Sequence, residues 1–275
     1  MKKEKKDQFV IACLEKEADA GVVLPMARHC AEKLGKGLFV LNVTKDGDNN
    51  WIKNLGLPYI GLKGDWKTAV DGLPTALGGV LAITAVDVSA PRTSITHPAT
   101  MLRTFRDCKI AYMAVTGDAE KTSTDNISTS HFPISTFITL DHRRESKEKL
   151  IWASYMVRFF GSRLTVATPA YSDEGFREKL GNNLLFMQKM YRTLDVGYTT
   201  ESIPMANFKH PDMVVATETE LLKPGDSLLI AMTTDRRDRD LGDLVAGPAE
   251  LRLMKRCRVP ILFLNQRDDL YVLCD

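Results

Sequence analysis

The chain's 275 residues are 44% apolar and 26% charged, which is enough to fill two cores of ordinary domain size. A net charge of only +2, with acids and bases interspersed, leaves no global field that would call for nucleic acid. The longest apolar runs, at 80–86 and 260–264, fall far short of the roughly 20 residues that cross a bilayer, so no membrane insertion is expected.

Along the chain, the lysine-rich tip at 1–6 reads as a solvated terminus. The apolar run behind it, 9–14, is too short for a signal sequence and lacks a small-residue cleavage site. Residues 10–14 are expected as a buried strand. Leu24, Ala27, Ala31 and Leu34 then mark one face of a helix that Gly35 ends. Strands at 38–43, 59–62, 80–86 and 110–115 follow, with helices at 66–77 and 98–105 between them. A polar stretch rich in Ser and Thr at 117–131 reads as a linker, which divides the chain into units 1–117 and 133–275 joined by 118–132.

The second unit repeats the alternation. A strand at 135–140 leads into a helix with Trp152, Tyr155, Met156, Phe159 and Phe160 on one face. After a strand at 164–167, the residues Phe176, Leu180, Leu184, Met187, Tyr191 and Leu194 line a long helix. Strands at 198–203, 228–232 and 259–264, a short helix or loop near 208–221 and a helix at 241–256 complete the unit. Strands alternating with helices imply an α/β fold, with a parallel sheet covered on both faces in each unit.

Matched segments indicate duplication. Residues 107–115 (DCKIAYMAV) parallel 256–264 (RCRVPILFL), and 79–87 (GVLAITAVD) parallel 227–235 (SLLIAMTTD). The matches keep their order, while the offset grows from 128 residues (Phe9 to Phe137) to 149 (Val115 to Leu264). The extra length belongs to the middle of the second copy, where the long helix is read.

The five cysteines, at 13, 30, 108, 257 and 274, are odd in number and form no C-x-x-C pair. No His stands at zinc-ligand spacing from them. Reduced thiols and a cytoplasmic location are expected. No catalytic signature is present: there is no G-x-S-x-G elbow, no G-x-x-x-x-G-K-[ST] loop and no G-x-G-x-x-G. His97-Pro98 and His210-Pro211 read as turns.

In an open parallel sheet, ligands bind beyond the carboxyl ends of the strands where the strand order reverses. That places the lips at 141–144 and 233–240 in the second unit, and at 15–17 and 87–89 in the first. The strand ending Ile138-Thr-Leu-Asp141, together with the closing stretch from Gly247 to Leu264, resembles the universal stress proteins. The resemblance implies two Rossmann-like units of the adenine-nucleotide alpha-hydrolase type, each with a five-stranded sheet. It also implies ATP or AMP as ligand, with Asp141 at the adenosine end, and a dimer-like pairing of units or chains through their last strands.

ATP-binding members of that family carry a G-x2-G-x9-G-S/T loop, whose glycines let backbone N–H groups approach phosphate. Here Thr234 and Arg237 replace the first two glycines, Gly247 keeps the third, and Pro248 replaces the hydroxyl residue. The first unit has Val86, Ser89 and Pro98 at these places and Glu15 in place of Asp141. ATP held in the family's usual way is therefore not expected. Arg236 and Arg237 on the replacement loop, with His142 and Arg143 on the facing lip, are candidates to grip an anionic ligand.

The expected function is that of a non-catalytic, cytoplasmic stress-response protein that binds a small ligand or a protein partner. The alternative is a ligand-free regulatory scaffold, for example for a transporter. A nucleotide hydrolase is the weaker alternative, since no nucleophile or base can be named.

Overall fold

The computed structural model describes residues 8–44, 50–72, 78–108, 110–116, 132–205, 210–233 and 247–265. The chain divides into two compact units, residues 1–130 and 131–275. The linker expected at 118–132 lies outside the described residues except for Phe132.

The first unit runs β1 (Phe9–Cys13), α1 (Glu17–Leu34), β2 (Gly37–Thr44), α2 (Asn50–Lys53), β3 (Tyr59–Lys63), α3 (Trp66–Asp71), β4 (Gly79–Val86), α4 (Pro98–Phe105) and β5 (Ala111–Thr116). Its strands are parallel and lie in the order β3-β2-β1-β4-β5. Val10, Ile11, Ala12, Leu81, Ala82 and Ile83 are wholly buried, because a strand covered on both faces needs a continuous apolar run instead of an alternating one. β3, at the sheet edge, is mostly exposed.

Helix α1 starts at Glu17, ahead of the face marked by Leu24, Ala27, Ala31 and Leu34, and runs through Pro25, whose ring lacks the N–H that would reach Gly21. It ends where Gly35 adopts φ +62°, the left-handed conformation that closes the last turn. Helix α3 is shorter than the sequence suggested, stopping at Gly72, and 73–77 lie outside the described residues. His97 caps α4 through its ring nitrogen, and Pro98 occupies the first helical position.

The second unit runs β6 (Ser135–Thr139), a single 3₁₀ turn (Arg144–Ser146), α5 (Lys147–Phe160), β7 (Arg163–Ala170), α6 (Glu174–Leu194), β8 (Thr199–Pro204), α7 (Pro211–Glu218), β9 (Ser227–Met232), α8 (Ala249–Arg256) and β10 (Ile261–Leu264). The order β8-β7-β6-β9-β10, all parallel, repeats the topology of the first unit. The 21-residue α6 stands where the first unit has the four-residue α2, and this crossover, 28 residues long against 14, holds most of the extra length of the second copy.

Three sequence readings change. On α5 the buried face carries Lys149, Leu150, Ala153 and Met156, whereas Tyr155 and Phe159 are exposed. Helical periodicity offered two stripes, and the aromatic one faces outward. On α6, Asn183 joins Leu180, Met187 and Tyr191 in the core, while Phe176 is exposed. Described helix begins at Ala249 and not at 241: Gly247 has φ +78° and Pro248 is extended, conformations that cannot continue an α-helix. Residues 241–246 lie outside the described residues.

Candidate functional site

In both units the first strand lies between the second and the fourth, so the crevice opens beyond the carboxyl ends of β1 and β4, and of β6 and β9.

In the second unit the crevice side of β6 is occupied by the protein's own charges. Asp141 is buried, with 1% of its surface exposed. Its carboxylate accepts the Arg143 backbone N–H at 2.9 Å, the Arg143 guanidinium at 2.8 and 2.5 Å, and the Ser146 hydroxyl. Burial alone would raise its pKa. The charges of Arg143 and Lys149 and these hydrogen bonds outweigh that, and hold the carboxyl well below the usual range. Asn183 on α6 fixes the same turn from above, donating to the carbonyls of Asp141 and Arg143 at 2.7 and 3.0 Å.

Behind this pair lies a second one. Lys149 and Asp212, both 0% exposed, meet at 3.0 Å, and the Lys149 ammonium also donates to Thr139 Oγ1 at 2.8 Å. The network joins α5, α7 and the end of β6. His210, at the N-terminus of α7, connects the two pairs: its Nε2 lies 3.3 Å from the Arg143 guanidinium, and its Nδ1 lies 3.7 Å from Asp212. An arginine only donates, so Nε2 accepts and the imidazole proton sits on Nδ1, facing Asp212. Burial lowers the His210 pKa to about 4.

His142 turns away from this network. Its Nδ1 lies 3.0 Å from the Tyr171 hydroxyl, and its ring stacks on Phe176 with centroids 4.1 Å apart. Burial comes first among the causes that lower its pKa.

The first unit is arranged differently. Asn42 on β2 donates to the Leu14 carbonyl at 2.7 Å, holding the chain as it leaves β1. The Glu15 carboxylate accepts the Ser94 hydroxyl and the Ile95 N–H, the latter at 3.0 Å. Lys16 and Asp87, one on each lip, form an ion pair at 3.7 Å, and Asp87 also accepts from Ser89. Beside these lips lies a cavity of about 770 Å³, lined by Glu15, Thr44, Trp66, Lys67, Thr100 and Arg103 among others. It sits at the carboxyl ends of β1, β2 and β3, between α3 and α4.

The structure brings Asp141 and Arg143 into one bonded pair and sets the adjacent His142 in an aromatic cluster. Gly247 is described as a left-handed residue before α8, with Leu251 Cδ2 3.7 Å from where a Cβ would stand. Thr234, Arg236 and Arg237 lie outside the described residues. Sequence reasoning did not find Lys149, Asp212, Asn183, Trp66 or Arg103. Only Asp212 left a signal, as an acid in the first turn after His210-Pro211, a dipeptide that opens a helix instead of making a turn. Among the described residues no group of three His, Cys, Asp or Glu could hold a metal, and no helix is long and apolar enough to cross a membrane.

No family model matches the sequence, and no curated protein does either. Solved structures do match. A universal stress protein from Archaeoglobus fulgidus DSM 4304 superposes with a TM-score of 0.63 at 11% identity, covering 95% of this chain and 97% of its own. A functionally unknown protein from Pseudomonas aeruginosa PAO1 superposes at 0.60 with 13% identity, covering 97% and 95%. The cytoplasmic domain of a prokaryotic cation chloride cotransporter superposes at 0.54 with 10% identity, covering 97% and 99%. The chain thus has the α/β fold of the universal stress proteins. It carries two such units in tandem along one polypeptide.

Proposed function

We propose that the protein is a non-catalytic regulatory protein of the cytoplasm, and that it responds to a small ligand bound in the cavity of its first unit. The observation that carries this reading is the cavity itself: about 770 Å³, at the carboxyl ends of parallel strands, beside the point where strand order reverses. The second unit supports the assignment by contrast. There Asp141, the acid expected at the adenosine end of a nucleotide, already has its acceptor sites engaged by Arg143 and Ser146. The buried cysteines among the described residues, Cys13, Cys30, Cys108 and Cys257, suit a reducing compartment.

The test is to purify the protein without added nucleotide, identify released small molecules by mass spectrometry, and follow thermal stability against ATP and AMP. Thr93→Trp, at an exposed position on the cavity wall, is expected to abolish ligand binding and leave the melting temperature of the free protein unchanged. Loss of the ligand on Asp141→Ala, with Thr93→Trp silent, would instead place the site in the second unit on the Asp141–Arg143 lip.

A second reading is a scaffold that acts through a protein partner. It is favoured by the fold shared end to end with the cytoplasmic domain of a cotransporter. Absence of any released molecule and of any nucleotide-dependent shift in melting would select it.

A further inference from the structure

We infer that the first unit's cavity takes a free amino acid, with its ammonium on Glu15 and its carboxylate on Arg103. The inference rests on the ligand-binding reading above and adds the class of ligand.

Two acids, Glu15 and Asp65, and two bases, Lys67 and Arg103, line the cavity, so its wall carries both signs in balance. Among the described residues none of the four pairs with another of the four. The second unit does the reverse, since there Asp141 is closed by Arg143 and Asp212 by Lys149. Charges of both signs that line one space without meeting suit an occupant bearing one charge of each sign.

The bonds already made decide which acid and which base are open. Asp65 caps α3, and both its carboxylate oxygens are engaged by Thr68, one by the N–H at 3.1 Å and the other by the hydroxyl at 2.8 Å. Lys67 pairs with Asp107 at 3.6 Å. Glu15 differs. Its Oε2 accepts the Ser94 hydroxyl and the Ile95 N–H, the latter at 3.0 Å, which fixes the carboxylate, while Oε1 has no hydrogen-bond partner among the described residues. Arg103, exposed on α4, has no ion pair among the described residues, and its planar fork matches a carboxylate. What stays open is therefore one oxygen of a preset carboxylate, which takes an ammonium, and one guanidinium, which takes a carboxylate. A ligand with a single charge would answer only one of them.

The experiment screens the twenty standard amino acids against the full chain by thermal shift. The best binder is then titrated by calorimetry beside its N-acetyl derivative, which lacks the ammonium, and its α-amide, which lacks the carboxylate. At least one amino acid is expected to bind, and each derivative to bind at least tenfold more weakly. Glu15→Gln keeps an oxygen for Ser94 and Ile95 while removing the charge. It should weaken the amino acid about tenfold and leave the N-acetyl form nearly unchanged. Arg103→Gln should weaken the amino acid equally and spare the amide. Failure of all twenty to bind, or derivatives that bind as tightly as the parent, overturns the inference. The cavity reading survives that result if another molecule released from the purified protein loses its binding in Thr93→Trp. Amino-acid binding that ignores Glu15→Gln, Arg103→Gln and Thr93→Trp overturns the inference as well and removes the site from the cavity.

Discussion

His210 is held neutral in a place where its charged form would face a guanidinium and an ammonium. Burial, reinforced by Arg143 and Lys149, depresses its pKa from 6.5 to about 4, against the opposing pull of Asp212 and Asp141. Between those values the unfolded chain binds a proton that the folded chain refuses. Stability from this residue is therefore complete above about pH 6.5 and is lost as pH falls toward 4, by an amount on the order of 3 kcal/mol. Asp141, with a depressed pKa, loses its contribution only at lower pH. Urea titrations at pH 7 and pH 4.5 should show the drop in the parent and a much smaller one in His210→Gln; an equal drop in both would refute the assignment. The sequence placed Asp141 at a strand end correctly. It could not show that Arg143, two residues on, folds back to pair with it, because that contact depends on the turn Asn183 holds from a distant helix.

The buried pair between α5 and α7 makes its own prediction at the scale of elements. Lys149→Met leaves the Asp212 charge buried without its cation and should cost about 3–5 kcal/mol, whereas adding Asp212→Leu should recover most of that loss. Additive losses in chemical denaturation would show that the two side chains are not coupled. The outer face of α5 predicts the opposite behaviour. Tyr155→Ser and Phe159→Ser should each change stability by less than about 1 kcal/mol, while Met156→Ala on the inner face should cost about 2–5 kcal/mol. A reversed ranking would mean that the aromatic stripe is the core after all. Periodicity made the helix legible but not its orientation: Trp152, Tyr155 and Phe159 recur as regularly as Leu150, Ala153 and Met156, and only the sheet beneath decides which set is covered. A lysine flanked by Glu148 and Leu150 gives no sign of being fully buried, since lysine in that setting ordinarily reaches water.

At the scale of the molecule, the repeated strand order was readable because apolar runs recur in sequence order, and runs buried on both faces stand out without any local motif. The cavity was not readable, since Glu15, Trp66 and Arg103 are far apart in the chain and meet only at the sheet's carboxyl edge. Each unit has five parallel strands and its own buried centre, around Ile11 and Ile83 in one and Ile138 and Ile230 in the other. Residues 1–117 and 133–275, expressed separately, are each expected to give a cooperative thermal transition; two halves that both lack one would refute these boundaries.

The contrast between α2 and α6 has a use at the bench. One architecture has accepted, at the same crossover, a single turn of helix and a helix of 21 residues without altering its strand order. Lengthening a surface connection adds entropy only slowly. The crossover between β2 and β3 is therefore a natural port for grafting: a fluorescent tag or affinity peptide inserted there should ride on the first unit without disturbing its fold, and report on ligand occupancy from within the chain.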